Sequence, residues 1–195
     1  LMNSSTPIII YILSFIFLKE RLSKFQLIGT AISLSGVAFI LSKGSLETLL
    51  SFSFNKGDLI VLIAVFCWGV YSLLVKQYAG RLPGYSTFLV TISLGVIMLL
   101  PFTIYELMTT SVDIVWSPST IGAILYVGIV ASIIAFLSWN NGVVALGANK
   151  ASIYLNFIPL FAAIFAVLFL GEDLLLAQVI GGLAVICGVL LASKK

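Results

Sequence analysis

The strongest constraint on the fold is a stretch of sequence that occurs twice, at residues 7–37 and at 159–189, in one register without a gap. Its landmarks repeat at a constant offset of 152 positions, so that Pro7 corresponds to Pro159 and Glu20 to Glu172. A repeat over so long a distance indicates that the chain is built from copies of one large unit. Each copy is an apolar run, a short charged elbow and a second apolar run, which is the pattern of two membrane helices joined by a tight turn.

The composition excludes an ordinary water-soluble domain, because 61% of the residues are hydrophobic and only 9% are charged. Apolar runs of about 20 residues predict membrane-spanning helices, since a lone segment in lipid can satisfy its backbone groups only internally. We therefore predict an all-α polytopic membrane bundle of seven helices, at 1–18, 26–41, 59–75, 87–105, 119–139, 151–170 and 174–192. The second of these spans is short and is expected to extend by a few residues at its ends.

The basic residues predict how the helices are oriented, because Lys and Arg are enriched in cytoplasmic loops. When the seven spans are threaded through a membrane, eight of the ten Lys and Arg residues fall on one side. The C-terminus and the loops at 19–25, 76–86 and 140–150 are therefore expected to be cytoplasmic, in a multi-pass protein of the plasma membrane. The elbow at 19–21 then lies inside and its counterpart at 171–173 outside. The two copies are thus inverted, which is a construction that many secondary transporters use.

Short motifs near both ends of the chain resemble the EamA-type transporters of the drug/metabolite transporter superfamily. The second elbow reads Phe169-Leu170-Gly171-Glu172, and the first reads Phe17-Leu18-Lys19-Glu20, with lysine where the family usually has glycine. The resemblance covers essentially the whole chain. It is also carried by residues that flank the elbows or open the second repeat, namely Gln26, Gly29, Gly36, Gly57, Asp58, Cys67, Trp68, Tyr71, Pro159, Gln178, Gly181, Gly188 and Val189.

The resemblance implies ten helices in two inverted repeats of five, which move metabolites or amino acids by alternating access. Residues 1–43 would be the last two helices of an incomplete first repeat, and residues 57–195 would form the complete second repeat. The chain begins with leucine and with polar residues. We therefore expect an N-terminally truncated member of the family.

Charged side chains are absent from all seven predicted spans, which contain no Asp, Glu, His, Lys or Arg. Intramembrane ionisable groups usually mark ion sites and the counter-ions of charged substrates. No nucleophile is paired with a base and no metal-ligand cluster occurs, so we expect neither an enzyme nor a metal site nor a cofactor. No nucleic-acid motif is present. The expected substrate is therefore an uncharged or zwitterionic metabolite with an apolar portion.

Two proline residues mark candidate substrate-binding segments near the bilayer midplane. Pro159 should leave the carbonyl of Leu155 without its helical donor, beside the side chain of Asn156. Pro7 occupies the corresponding place in the first copy, next to Ser4. Kinked helices with free carbonyls are where transporters tend to bind their substrates. A plain packing kink is the alternative for either proline.

Aromatic residues supply the other candidates. Trp68 lies too deep in its span for an interfacial anchor and shares a helix face with Tyr71, so the pair could form a pocket wall or could simply be core packing. Asn140 and Asn141 are expected in a solvated loop. The small residues that recur in the second and seventh helices, such as Gly29 and Gly181, are assigned to helix packing.

These observations favour a secondary transporter of small organic metabolites such as amino acids, acting as an exporter or permease. Its partners would be the metabolite and the lipid bilayer, and a homodimer is compatible with the same pattern. The alternative is a membrane scaffold or accessory subunit that keeps the fold without transporting. A central cavity lined by Trp68, Tyr71 and Asn156 would distinguish the transporter, because a scaffold should fill that space with side chains.

Overall fold

The computed structural model describes residues 2–45, 47–48, 55–78, 81, 83–109 and 115–194. Short 3-10 turns precede the first long helix at Met2–Ser5 and interrupt the sixth at Tyr154–Asn156. The chain is a polytopic helical membrane bundle, as predicted, and no strand occurs in these ranges. Its long helices are α1 (Thr6–Leu18), α2 (Lys24–Leu41), α3 (Lys56–Gln77), α4 (Gly84–Thr109), α5 (Pro118–Leu146), α6 (Ala148–Leu170) and α7 (Leu176–Ser193).

The helix boundaries follow the predicted spans closely, with one correction in α5. Within the described ranges, six helices are long and apolar enough to cross a membrane, while α1 is shorter at 13 residues. Asn140 and Asn141 lie inside α5 and not in a loop, because the helix continues until Gly147, whose φ of 84° no α-helix accommodates. Parts of the segments between the predicted spans, at 42–58, 76–86 and 106–118, fall outside the described residues, as does Lys195.

A π-helical stretch that the sequence did not predict occupies the middle of α5, at Tyr126–Ile134. In a π-helix each hydrogen bond reaches back one residue further than in an α-helix. The hydroxyl of Ser132 follows the same wider spacing and donates to the carbonyl of Val127, five residues back, at 2.8 Å. The serine hydroxyl is thus satisfied within its own helix.

Matching helices of the two copies begin in the same way. At the start of α2, Ser23 Oγ accepts the N–H of Gln26 at 3.2 Å, and Gln26 Oε1 accepts the N–H of Ser23 at 2.9 Å, which makes a capping box. At the corresponding place in α7, Gln178 Oε1 accepts the N–H of Leu175 at 3.0 Å. One glutamine in each copy therefore stabilises the same first turn.

Matching helices also end in the same way, at the two elbows. The residue after α1 is Lys19 with a φ of 54°, and the residue after α6 is Gly171 with a φ of 68°. At both elbows this left-handed residue and the next one donate their N–H groups to one carbonyl, that of Ser14 in α1 and that of Ala166 in α6. Glycine is the residue that such caps favour. Lysine at position 19 therefore carries backbone strain that Gly171 does not.

The two copies meet where α2 crosses α7. A Cβ atom added at Gly188 would lie 2.5 Å from the carbonyl oxygen of Gly29, and one added at Gly36 would lie 2.6 Å from that of Gly181. Gly181 and Gly188 are the repeat counterparts of Gly29 and Gly36. The contact of Gly188 with Gly29 therefore corresponds, when the two copies are exchanged, to the contact of Gly36 with Gly181. The two helices therefore run antiparallel about a local two-fold axis with their backbones in contact. The packing role predicted for these glycines is confirmed.

The chain divides into two compact units, residues 1–76 with 143–195 and residues 77–142. In the second unit the rings of Phe88 and Phe136 pack with centroids 5.8 Å apart, and most side chains of α4 and α5 are exposed, as expected for helices that face lipid. The first unit contains the cavity described below. Its buried core is formed by Tyr11, Val37, Ile40, Ile153, Val185, Val189 and Ala192.

Candidate substrate-binding site

A half-open cavity of about 280 Å³ lies within the first unit, between α1, α3 and α6, and Ala64 and Ile158 of its wall are exposed. Ala64, Val65 and Trp68 share one face of α3, because residues three and four apart are neighbours on a helix surface. The wall has no charged side chain, and its polar side-chain groups are one hydroxyl and one indole N–H. Such a space suits a small molecule that is largely apolar. The wall is formed by Thr6, Ala64, Val65, Trp68, Leu155 and Ile158.

Trp68 is the predicted site residue that the structure places in the cavity wall. Its ring centroid lies 5.7 Å from that of Tyr71, and the two planes are inclined at 37°. Its carbonyl accepts a hydrogen bond from Ser72 Oγ at 2.8 Å, one turn further along α3. Tyr71 is not part of the wall but packs against Trp68, so it can hold the indole in place.

Pro7 and Pro159 each follow a 3-10 turn, at Met2–Ser5 and at Tyr154–Asn156. Proline has no N–H and its ring collides with the carbonyl four residues earlier, so the preceding turn cannot be regular α-helix. The break in helical geometry therefore occurs at corresponding places in the two copies. Neither proline lines the cavity, but each is adjacent in sequence to a wall residue, Thr6 in one case and Ile158 in the other.

Asn156 is fully buried and contacts α2. Its Nδ2 donates to Ser33 Oγ at 2.9 Å, while its Oδ1 has no hydrogen-bond partner among the described residues. A buried acceptor without a partner costs about 1–3 kcal/mol, so this atom is a group that a ligand donor could satisfy. Ser4, its repeat counterpart, is half-buried in the 3-10 turn before α1.

A second polar contact joins α1 to α2 and was not predicted. The hydroxyl groups of Tyr11 and Thr30 lie 2.8 Å apart, and both side chains are buried. Together with the pair of Asn156 and Ser33, it places two buried hydrogen bonds on α2. These bonds fix how α1 and α6 sit against α2, because a buried polar group must keep its partner.

Five of the six wall residues were not predicted as site residues, although the carbonyl of Leu155 was placed in a candidate segment. The sequence argument searched for polar and aromatic side chains, whereas four of the five are apolar. Spacing along the helix was a usable signal for Ala64 and Val65, which lie four and three residues before Trp68. Proximity to proline was the signal for the others. The five are Thr6, Ala64, Val65, Leu155 and Ile158.

Comparison with known proteins shows which sequences this chain resembles. The model of the EamA-like transporter family matches residues 1–42 and 55–194. The uncharacterized transporter YyaM of Bacillus subtilis strain 168 is 33% identical over 193 residues, which cover 96% of this chain and 61% of that protein. A protein of Streptantibioticus cattleyicolor named a probable terminal-alkyne amino-acid exporter is 26% identical over 198 residues, which cover 100% of this chain and 63% of that protein.

The fold is also found among solved structures. One crystal structure superposes with a TM-score of 0.76 and covers 98% of this chain and 64% of that chain, at 20% sequence identity. At this identity the likeness concerns the fold alone. The chain spans about three-fifths of the length of the curated relatives that it matches.

Proposed function

The chain belongs to the EamA-like transporter family, and from this premise we propose that it works as a secondary transporter of small organic metabolites by alternating access. The observation that carries the proposal is the uncharged cavity at Trp68. It lies between α1 and α6, whose proline-associated breaks occupy corresponding places in the two inverted copies. Such broken helices near a local symmetry axis are typical substrate-binding elements of transporters. The family consists of transporters, which supports a non-enzymatic function.

The cavity suits an uncharged or zwitterionic metabolite with an apolar portion, such as an amino acid. A volume of about 280 Å³ is at the small end of the range for ligand pockets. The apolar wall would cover the carbon skeleton. Asn156 lies outside the wall, next to the wall residue Leu155, and its buried Oδ1 would accept a hydrogen bond from an amino group once the helices part around the substrate. The amino-acid exporter among the relatives supports the same substrate class.

The proposed substrate-binding residues come from three helical segments. Trp68 forms the aromatic wall and Tyr71 supports it from behind. On α6, Asn156 offers an acceptor and Pro159 maintains the break, and Ser4 and Pro7 take the corresponding places before and at the start of α1. These six residues contact the substrate directly or shape the space around it.

We further propose that residues 1–43 are the last two helices of a first repeat and residues 57–195 a complete second repeat. The protein would lie in the plasma membrane with its C-terminus in the cytoplasm, since most of its Lys and Arg residues fall on that side. A cysteine introduced as Glu172→Cys, with Cys67 and Cys187 replaced, should be labelled by a membrane-impermeant maleimide added outside intact cells. Labelling only after the membrane is opened would contradict this topology.

The experiment that tests the transport proposal fills the cavity. The protein is expressed from its complete coding sequence, reconstituted in liposomes and assayed for exchange of radiolabelled neutral amino acids. Ala64→Trp should abolish saturable exchange, because the new indole occupies the cavity. The matched control is Ala123→Trp, which replaces an alanine that is exposed like Ala64 but lies on α5, outside the cavity wall, and it should exchange like the wild type.

The outcomes separate the transporter from a scaffold. Loss of exchange in Ala64→Trp alone supports a central substrate site. Undiminished exchange in that variant would contradict it, and an absence of saturable flux in the wild type across the neutral and zwitterionic amino acids would favour a scaffold.

A further inference from the structure

Three polar side chains meet at one end of the first unit, one from the elbow after α1 and two from the ends of α3 and α6. Glu20, in the elbow after α1, accepts a charge-assisted hydrogen bond from Lys76 Nζ through its Oε1. Its other oxygen, Oε2, accepts a hydrogen bond from Asn149 Nδ2 at 2.9 Å. Lys76 lies at the end of α3 and Asn149 in the first turn of α6. The carboxylate of Glu20 therefore ties together the ends of three separate helices.

The same three helices form the cavity. Thr6 contributes from α1, Trp68 from α3, and Ile158 from α6. In α1 and α3 the cavity residues precede the cluster in sequence, and in α6 they follow it. The polar cluster therefore lies at one common end of these three helices. We name the cluster of Glu20, Lys76 and Asn149 the latch.

Between the cavity and the latch the helices are packed without space for a substrate. A Cβ atom added at Gly69, one residue beyond Trp68, would lie 2.9 Å from Leu13 Cδ1. Leu73 is 5% exposed, and Ile10 and Ile153 are not exposed at all. These side chains form an apolar layer that must separate before a molecule can pass toward the latch.

The backbone next to the latch is built for a close approach of Lys76. Gly147, directly before α6, has a φ of 84°, and a Cβ atom added there would lie 3.2 Å from Lys76 Nζ. Asn149 is 7% exposed, and its Oδ1 has no hydrogen-bond partner in the described part of the chain. The cluster thus retains one buried acceptor beyond the bonds that it makes.

Among the residues that the structure describes, the opposite elbow has no equivalent of the latch. Glu172, the repeat counterpart of Glu20, is exposed and forms no ion pair with any described residue. The latch elbow also holds Lys19, Arg21 and Lys24, so the charge pattern assigns it to the cytoplasmic face.

We propose that Glu20, held by Lys76 and Asn149, is a positioning residue that keeps the cavity closed toward the cytoplasm. Breaking its two contacts lets the ends of α1, α3 and α6 separate and opens the path on that side. This inference rests on the alternating-access transport proposed above, because only a cycle that opens to each face in turn needs a closure at one end.

The test measures access to the cavity and needs no substrate. In a background with Cys67 and Cys187 replaced, Ala64→Cys places a thiol in the cavity wall. A water-soluble maleimide is added to one side of membrane vesicles. That side is identified by a reference cysteine near the latch, Arg21→Cys, which must be labelled from it. With the latch intact the cavity thiol should react slowly. Glu20→Gln should accelerate its labelling on the order of tenfold. Glutamine has no charge to pair with Lys76 and only one acceptor oxygen for the two donors, so the closed state is favoured less.

Two further variants complete the experiment. The matched control Glu172→Gln should leave the labelling rate unchanged. The exchange of Glu20→Lys with Lys76→Glu should restore slow labelling, because a lysine at position 20 can pair with the new carboxylate and also donate to the unpaired Oδ1 of Asn149.

The inference is overturned if Glu20→Gln, shown to be folded by its thermal unfolding, is labelled at the wild-type rate. It is also overturned if the charge exchange labels as fast as Glu20→Gln. Failure of the transport proposal has a different signature, since it would appear as absent amino-acid exchange in liposomes whatever the labelling rates are.

Discussion

Replacing Gly188 by alanine tests the crossing of α2 and α7. The added Cβ atom would lie 2.5 Å from the carbonyl oxygen of Gly29, 2.5 Å from the amide nitrogen of Ser33 and 2.7 Å from the Cβ of Ser33. Attractive contact between such atoms needs about 3.5 Å, so the two helices must move apart locally by roughly 1 Å. The neighbouring atoms belong to backbone or to a Cβ, and none can rotate away as the end of a long side chain could.

The magnitude follows from three terms. Overpacking of this kind costs about 1–3 kcal/mol. Displacement of α2 also stretches the 2.9 Å bond between Asn156 Nδ2 and Ser33 Oγ, which costs up to about 1 kcal/mol. The better helix propensity of alanine returns about 0.5–1 kcal/mol. Taking the middle of each range, we expect the free energy of unfolding to fall by about 2 kcal/mol.

The assay is unfolding of the purified protein in mixed micelles as the fraction of denaturing detergent is raised, followed by circular dichroism. Gly95→Ala is the matched control, because a Cβ added at that position in α4 would meet nothing within 4 Å beyond the adjacent backbone of its own helix. That variant should be as stable as the wild type or more stable, since only the propensity term applies. If Gly188→Ala unfolds at the wild-type midpoint, the close approach of α2 and α7 does not depend on glycine and the reasoning is wrong.

Three further predictions concern the elbow and the substrate site. Lys19→Gly should raise the free energy of unfolding by about 1 kcal/mol in the same assay, and Gly171→Ala should lower it by a similar amount. The reason is that both positions have positive φ. Equal unfolding midpoints for the two variants would contradict this. Asn156→Ala should weaken substrate binding by on the order of 1–3 kcal/mol in equilibrium binding to the protein expressed from its complete coding sequence. Pro159→Ala should change the exchange rate in liposomes more than the binding affinity, because it restores a helical hydrogen bond at the break. An unchanged affinity in the first of these two and an unchanged rate in the second would return both residues to a packing role.

Much of this fold was predictable because a membrane leaves the backbone few alternatives. Continuous apolar runs predict helices, since every N–H and C=O must be satisfied within the segment. The repeat predicted the packing of two helices as well as the number of helices. The offset that relates Gly29 to Gly181 in sequence also relates their contacts where α2 crosses α7, so the packing of these helices was predictable in kind from small residues alone.

The site was less predictable, because the same helices are hydrophobic around their whole circumference. A helix that is hydrophobic on all sides does not reveal which face points inward, so the sequence could identify Trp68 but not its neighbours in the wall. The partner of Asn156 was equally hidden, because Ser33 is far away in sequence and nothing in the pattern fixes the rotation of α2. The end of α5 was misplaced because Asn140 and Asn141 look like loop residues, whereas the backbone turns only at Gly147.

The repeat is close to symmetric in its backbone and asymmetric in its polar side chains. The hydrogen bond of Asn156 to Ser33 has no equivalent in the other copy, where the corresponding residues are Ser4 and Val185. In a transporter whose two states are related by the inverted repeat, identical copies would make the two states nearly equal in free energy. Contacts made by one copy only, polar ones among them, therefore make the two states differ in free energy. In the proposed cycle the latch at Glu20 and the bond at Asn156 both favour the state in which the cytoplasmic side is closed. Replacing Ser33 with valine, the residue at its counterpart position, should therefore shift the resting population toward the state with the cytoplasmic side open.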